Sequence, residues 1–231
     1  IIKGISGFYY VEVGQDLYEC KARGIFRKKG LSPLVGDRVA ISIIDEADKK
    51  GNIEKIYERK SELVRPPIAN VDKVLITFSV KEPNPNMVLL DRFIVFSEKE
   101  NLDIRIILTK VDLDEDGTIV DRIVSDYGRI GYKVIPVSVD TGQGIDQVRQ
   151  ELEGCISVFA GQSGVGKSSI LNAIEPGFKI DTAEISQKLG RGKHTTRHSE
   201  LYKLGPNAIV ADTPGFSSFE LTDIEIEELQ E

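Results

Sequence analysis

Gly161-Gln162-Ser163-Gly164-Val165-Gly166-Lys167-Ser168, entered from the apolar run 156–160 and continuing through Ser169 toward Ile174, decides the fold of this chain. The stretch fits G-x-x-x-x-G-K-[ST], a pattern expected by chance on the order of 1% of the time in a chain this long. Glycines let the backbone curl so that several N–H groups face a phosphate. The N-terminus of the helix that follows adds partial positive charge. In this pattern Lys167 is expected to reach the β- and γ-phosphates of a nucleotide, and Ser168 to place its hydroxyl on Mg²⁺. Pro176-Gly177 stops the helix.

Around this loop the sequence alternates apolar runs with amphipathic segments. Strands are expected over 74–80, 104–109, 133–139, 156–160, 200–204 and 208–211, and helices over 87–100, 118–128, 145–153 and 167–174. Short continuous apolar strands alternating with helices imply a largely parallel sheet covered on both faces. Residues 1–62 have another rhythm. Segments 8–13, 17–23, 37–43 and 52–57 are rich in β-branched and aromatic residues, with turn material between them. Four or five short strands in about sixty residues suit a small closed barrel, an OB-fold above all. Arg65-Pro66-Pro67 is stiff, and the domain boundary is placed there. The expectation is an all-β barrel at 1–65, an α/β phosphate-loop domain at 66–219, and an acidic segment at 220–231 that opens a further, truncated region.

A phosphate loop does not choose between adenine and guanine. Thr109-Lys110-Val111-Asp112, at the end of the expected strand 104–109, makes that choice. Guanine presents a ring N–H and an exocyclic amine on one edge, and a single carboxylate, Asp112, can accept from both. The stem of Lys110 can lie along the ring. Ser138-Val139-Asp140-Thr141-Gly142, after the next strand, is where a backbone N–H could meet the guanine oxygen. Asp212-Thr213-Pro214-Gly215 follows strand 208–211. Asp212 can hold the Mg²⁺ shell and the Gly215 N–H can sense the γ-phosphate. In most GTPases the phosphate loop precedes the base-reading motif; here the order is reversed, so the domain is circularly permuted. Residue 216 is Phe, which cannot orient water as a glutamine near this position does in many GTPases. Gly190-Arg191-Gly192-Lys193-His194-Thr195-Thr196-Arg197-His198 lies where a first switch loop belongs. Thr195 or Thr196 could complete the Mg²⁺ shell. His194 could position or deprotonate water, or this basic loop could instead contact RNA through Arg191, Lys193 or Arg197.

The 231 residues carry net charge −7, unevenly spread. Residues 1–66 hold 13 basic and 10 acidic side chains, and residues 67–231 hold 17 and 27. The positive excess on the barrel hints at nucleic acid. Residues 220–231 hold six acidic and no basic side chains and would repel RNA. No apolar run approaches the ~20 residues that span a bilayer, and no secretory signal is visible. Cys20 and Cys155 are far apart in sequence and suit a reducing, cytoplasmic setting. Met87 is the only methionine, so residues before Ile1 are expected.

An OB-like barrel, then TKVD, GQSGVGKSS, GRGKHTTRH and VADTPGFSS, in this order over essentially the whole chain, resembles the bacterial small-ribosomal-subunit-dependent GTPase A family, RsgA, also called YjeQ or YloQ. The resemblance implies a cytoplasmic, monomeric GTP hydrolase that binds GTP, GDP and Mg²⁺. It would act late in maturation of the small ribosomal subunit, bind its rRNA, and turn over slowly alone and faster on the ribosome. It also implies a hydrophobic residue at the glutamine position, met by Phe216, and a candidate catalytic histidine, met by His194. The family's zinc-binding C-terminal domain has no counterpart in these 231 residues, so zinc is expected only of a segment beyond them.

Overall fold

Residues 3–56 build the barrel. Strands β1 (Lys3–Ile5), β2 (Phe8–Val13) and β3 (Asp16–Ala22) run as an antiparallel meander. A short helix α1 (Gly24–Lys28) leads toward the hairpin of β4 (Val39–Asp45) and β5 (Lys50–Ile56). Strand β5 returns parallel to β3, giving the order β1-β2-β3-β5-β4. This is the five-stranded Greek-key barrel expected from the sequence. The computed structural model describes residues 1–28, 30–63, 67–176 and 200–212.

Strand β4 starts at Val39, two residues later than the sequence pattern suggests, because the preceding residues are held in a turn. The buried Asp37 carboxylate accepts from Leu34 N at 2.7 Å and from both Arg59 Nε at 2.7 Å and Nη2 at 2.8 Å. Gly36 has φ +92°, and a Cβ there would lie 1.9 Å from the Ala69 carbonyl oxygen. Ala69 N donates to Val35 O at 2.8 Å and Asn70 Nδ2 to Gly36 O at 2.9 Å. The turn is thereby wedged against the small antiparallel pair β6 (Glu62–Leu63) and β7 (Ile68–Ala69). The expected boundary at Arg65-Pro66 lies outside the described residues, as does the acidic segment 220–231.

The second half alternates strand and helix: β8 (Lys73–Ser79), α2 (Met87–Lys99), β9 (Asp103–Thr109), a 3-10 turn Val111–Leu113, α3 (Thr118–Arg129), β10 (Lys133–Val137), α4 (Ile145–Leu152), β11 (Ile156–Ala160), α5 (Lys167–Ile174), β12 (Glu200–Leu204) and β13 (Ala208–Asp212). Strands β10-β9-β8-β11-β13 are parallel and β12 is antiparallel at their end. Central strand β8 is buried at every position after its first. Its Val74, Ile76 and Phe78 join Leu90, Phe93 and Ile123 of α2 and α3 on one face. Leu75, on the other face, joins Val148 of α4 and Ile170 of α5. Side chains alternate across a strand, so a strand between two helical layers is buried on both faces, and β8 is a largely apolar run in which Thr77 and Ser79 are buried as well.

The barrel and this sheet are continuous. Lys3 of β1 pairs with Glu200 of β12, Leu201 N donates to Ile2 O at 2.8 Å, and Lys3 Nζ lies 2.9 Å from Glu200. The barrel core residues Val11, Cys20 and Ile53 belong to the same apolar cluster as the α2–α3 face.

At the amino ends of the parallel strands, Glu151 of α4 gathers three cations. Lys133 Nζ lies at 2.6 Å, Arg105 Nε at 2.7 Å and Lys73 Nζ at 2.8 Å. Burial alone would raise this carboxyl, but Lys133, Lys73 and Arg105 hold it down to about 2. A carboxyl depressed on folding contributes stability that is whole above its unfolded value and lost as pH falls through its folded value. Glu151→Gln is therefore expected to cost about 2–3 kcal/mol at pH 7. It should also abolish the part of the stability loss that falls between pH 4.5 and about 2. Urea midpoints of the two proteins across that range check both.

Candidate nucleotide site

In open parallel sheets, ligands bind outside the carboxyl ends of the strands where the connections reverse direction. Here that point lies between β8 and β11. The chain leaves β8 through α2 toward β9 on one side, and leaves β11 through α5 toward β13 and β12 on the other. The phosphate-loop pattern follows β11 directly, and TKVD begins at Thr109, the last residue of β9.

The loop 161–166 owes its path to its glycines. Gly161 has φ +136°, and a Cβ there would stand 2.2 Å from the Thr77 carbonyl oxygen. Gly164 and Gly166 have φ +82° and +98°, and Gly166 caps the start of α5. Gln162 is half-buried, Ser163 exposed, and Val165 buried as the anchor of the loop. Lys167 and Ser168 open the helix half-buried, with Ser169 exposed beside them. Lys167 Nζ donates back to Gly161 O at 2.5 Å and Gln162 O at 2.7 Å. Burial pushes its amine down to about 8, with no carboxylate facing it among the described residues. A half-buried cation whose partners among the described residues are neutral carbonyls is a ready partner for a phosphate.

Thr109 is 3% exposed, and its hydroxyl lies 2.6 Å from Val165 O and 3.0 Å from Phe78 O. It reaches across the end of β8 and ties the base-reading loop to the phosphate loop. Lys110 then turns left-handed at φ +57°, Val111 is buried, and Asp112 is exposed in the 3-10 turn. Strand β10 ends at Val137 and not at 139, because Ser138 leaves the ladder. Its N–H donates to Gln143 O at 3.0 Å and its hydroxyl accepts from Thr141 N at 3.2 Å. Ser138 therefore shapes its loop through its own amide and hydroxyl.

Asp212 is the last residue of β13, its backbone paired with Glu200. His194, Thr195, Thr196 and Gly215 lie outside the described residues, as does Phe216. Sequence reasoning did not single out Ser79, Glu82 and Pro83. They stand at the carboxyl end of β8, where Ser79 Oγ donates to Pro83 O at 2.7 Å and Lys110 Nζ to Glu82 O. The signal available was position, since any loop leaving a parallel strand at the reversal point borders the ligand.

A hydroxyl at a helix N-terminus beside phosphate oxygens suits Mg²⁺, a hard ion that keeps water and takes few protein ligands. Ser168 meets that requirement. Among the described residues there is no group of three or more His, Cys, Asp or Glu side chains able to hold a metal.

Comparison with known proteins agrees with this geometry. The model of the RsgA GTPase matches residues 56–222, and that of the RsgA N-terminal domain matches residues 1–53. The small ribosomal subunit biogenesis GTPase RsgA of Alkaliphilus metalliredigens is 50% identical over 229 residues, covering 99% of this chain and 78% of the relative. Its namesake in a Geobacillus species is 51% identical over 231 residues with the same coverage. The crystal structure of YjeQ from Thermotoga maritima superposes with a TM-score of 0.85 at 38% identity, over 99% of this chain and 78% of that one. The crystal structure of YloQ, a circularly permuted GTPase, does so with a TM-score of 0.75 at 41% identity, over 99% and 75%.

The lowered Lys167 amine gives a pH signature. Bound phosphate favours the charged amine, so binding takes up a proton wherever the free protein has lost it. Affinity should hold below pH 8 and weaken above it. Calorimetric titration with GDP is expected to show a loss of about 20-fold between pH 7.5 and 9.5 for an amine near 8. A flat profile would show that Lys167 stays charged throughout.

Proposed function

Because the chain belongs to the RsgA GTPase family, we propose that it hydrolyses GTP while bound to the maturing small ribosomal subunit, using the loop 161–169 for phosphate and 109–112 for guanine. The observation that carries this reading is Lys167, a half-buried cation held among the described residues by two backbone carbonyls, in a loop tied by Thr109 to the segment that holds Asp112.

In this reading Asp112 accepts from the ring N–H and the amine of guanine, and Lys110 covers the ring face. The Val139 amide donates to the guanine oxygen. The loop amides from Gln162 to Lys167 cradle the phosphates, and Lys167 leaves its carbonyls to meet the β- and γ-oxygens. Ser168 holds Mg²⁺ with Asp212 and either Thr195 or Thr196. That ion, when bound, offsets charge on the phosphate oxygens as the γ-phosphoryl group transfers to water. Gly215 senses the γ-phosphate, and His194 places the attacking water that Phe216 cannot. Contacts on the small subunit complete the hydrolytic site, so that turnover is slow alone and faster on the subunit.

The barrel supplies the rRNA contact. Lys21 lies 5.1 Å over the Phe8 ring and Lys55 4.7 Å over the Tyr57 ring, and paired aromatic and basic groups of this kind suit stacked bases and phosphate. The protein works as a cytoplasmic monomer. No helix among the described residues is long and apolar enough to cross a membrane.

Two measurements test this. Steady-state GTP hydrolysis with and without purified small subunits should show stimulation by the subunits; an unchanged rate refutes the ribosomal part. Asp112→Asn should weaken GTP binding at least about tenfold, the worth of a lost charged hydrogen-bond pair. It should also admit xanthosine triphosphate, whose oxygen replaces the guanine amine. Unaltered GTP affinity would remove Asp112 from base reading.

A further inference from the structure

The segment between β8 and α2, Val80-Lys81-Glu82-Pro83-Asn84-Pro85-Asn86, carries no nucleotide motif. It nevertheless leaves the carboxyl end of the central strand between the two loops of the site, and four contacts fix its path. Val80 N donates to Thr109 O at 3.0 Å. The fully buried Ser79 hydroxyl donates to Pro83 O at 2.7 Å. The Lys110 ammonium donates to Glu82 O. Pro83 Cδ lies 4.0 Å from where a Cβ on Gly164 would stand, so the proline ring backs the outer curve of the phosphate loop. At its far end Asn86 caps α2, its side chain accepting from Leu89 N at 3.1 Å.

A lysine stem has four rotatable bonds and resists being laid flat along a ring unless both its ends are held. The backbone end of Lys110 is held by its left-handed turn after β9. The ammonium end is held by the Glu82 carbonyl, which fixes the charge without neutralising it. That carbonyl is in turn placed by the Ser79–Pro83 bond one residue away.

We propose that residues 80–86 form a third wall of the nucleotide site, and that Ser79 is a positioning residue that sets guanine affinity through Glu82 and Lys110. The inference rests on the reading of 109–112 as the guanine-recognising loop. It gives Ser79, buried in a strand end and out of reach of the ligand, a measurable effect on ligand release.

The test is the dissociation rate of GDP carrying a fluorescent N-methylanthraniloyl group, measured by displacement from the whole chain. Ser79→Ala is expected to release it about fivefold faster, the worth of one hydrogen bond of ordinary strength. Lys110→Ala should also speed release, and the double variant should be no faster than Lys110→Ala alone, because the two act in series. Purely additive effects would make Ser79 a stabilising residue only and overturn the proposal. If Ser79→Ala does not fold, Pro83→Gly, in a half-exposed loop, must show the same faster release and the same non-additivity. Asp112→Asn separates the two levels. If it leaves GDP release unchanged, the guanine-reading assignment falls. If it speeds release while Ser79→Ala or Pro83→Gly matches the parent protein, the third wall falls alone.

Discussion

The Thr109 hydroxyl, 2.6 Å from the Val165 carbonyl, joins two segments 56 residues apart in sequence. That contact links the loops after β9 and β11 directly. The hydroxyl has one proton and two carbonyls in reach, and Val165 O is the nearer. Through it the base-reading loop at the end of β9 and the phosphate loop at the end of β11 are held in register across the end of β8. In the proposed reading a nucleotide spans both loops, so this bond helps to set the separation at which its two ends would be read. Permutation of the chain leaves this relation intact. It changes which loops are covalently continuous and keeps the order of strands in the sheet, so the site residues meet although their motifs run in reverse order.

How much of this was legible in the sequence depends on the type of signal. The parallel sheet announced itself through short, largely apolar strands such as β8 and β11 alternating with amphipathic segments that form α2, α3 and α4. The two glycines that the pattern fixes, Gly161 and Gly166, take the positive φ angles that glycine allows, and so does Gly164 between them. Less legible were features made by tertiary contact. Strand β4 starts late because Asp37 is recruited by Arg59, and β10 ends early because the Ser138 amide finds the Gln143 carbonyl. Neither choice leaves a mark in local propensity. The three-residue strand β1 was too short for any periodicity to reveal, yet it carries the seam between barrel and sheet.

That seam matters for the chemistry. Strand β12 is bonded to β1 on one side and to β13, which ends at Asp212, on the other. The barrel is therefore two strands removed from a residue expected to hold the metal shell. The wedge of Gly36 under Ala69 fixes the barrel a second time, at the entry to β8. A load applied to the barrel by a bound partner thus has two rigid routes into the sheet, one ending at β13 and one at β8 and its loop. This arrangement suits an enzyme whose turnover answers to what its barrel touches.

Thr109 is the tie through which the proposed phosphate and guanine loops act as one unit. The most direct measurement is calorimetric GDP affinity of Thr109→Val and Thr109→Ser beside the parent protein. Valine keeps the shape and removes the proton, and is predicted to weaken binding about 5- to 20-fold in protein that circular dichroism shows to be still folded at the temperature of the titration; serine should restore most of it. Full affinity in Thr109→Val would contradict the account.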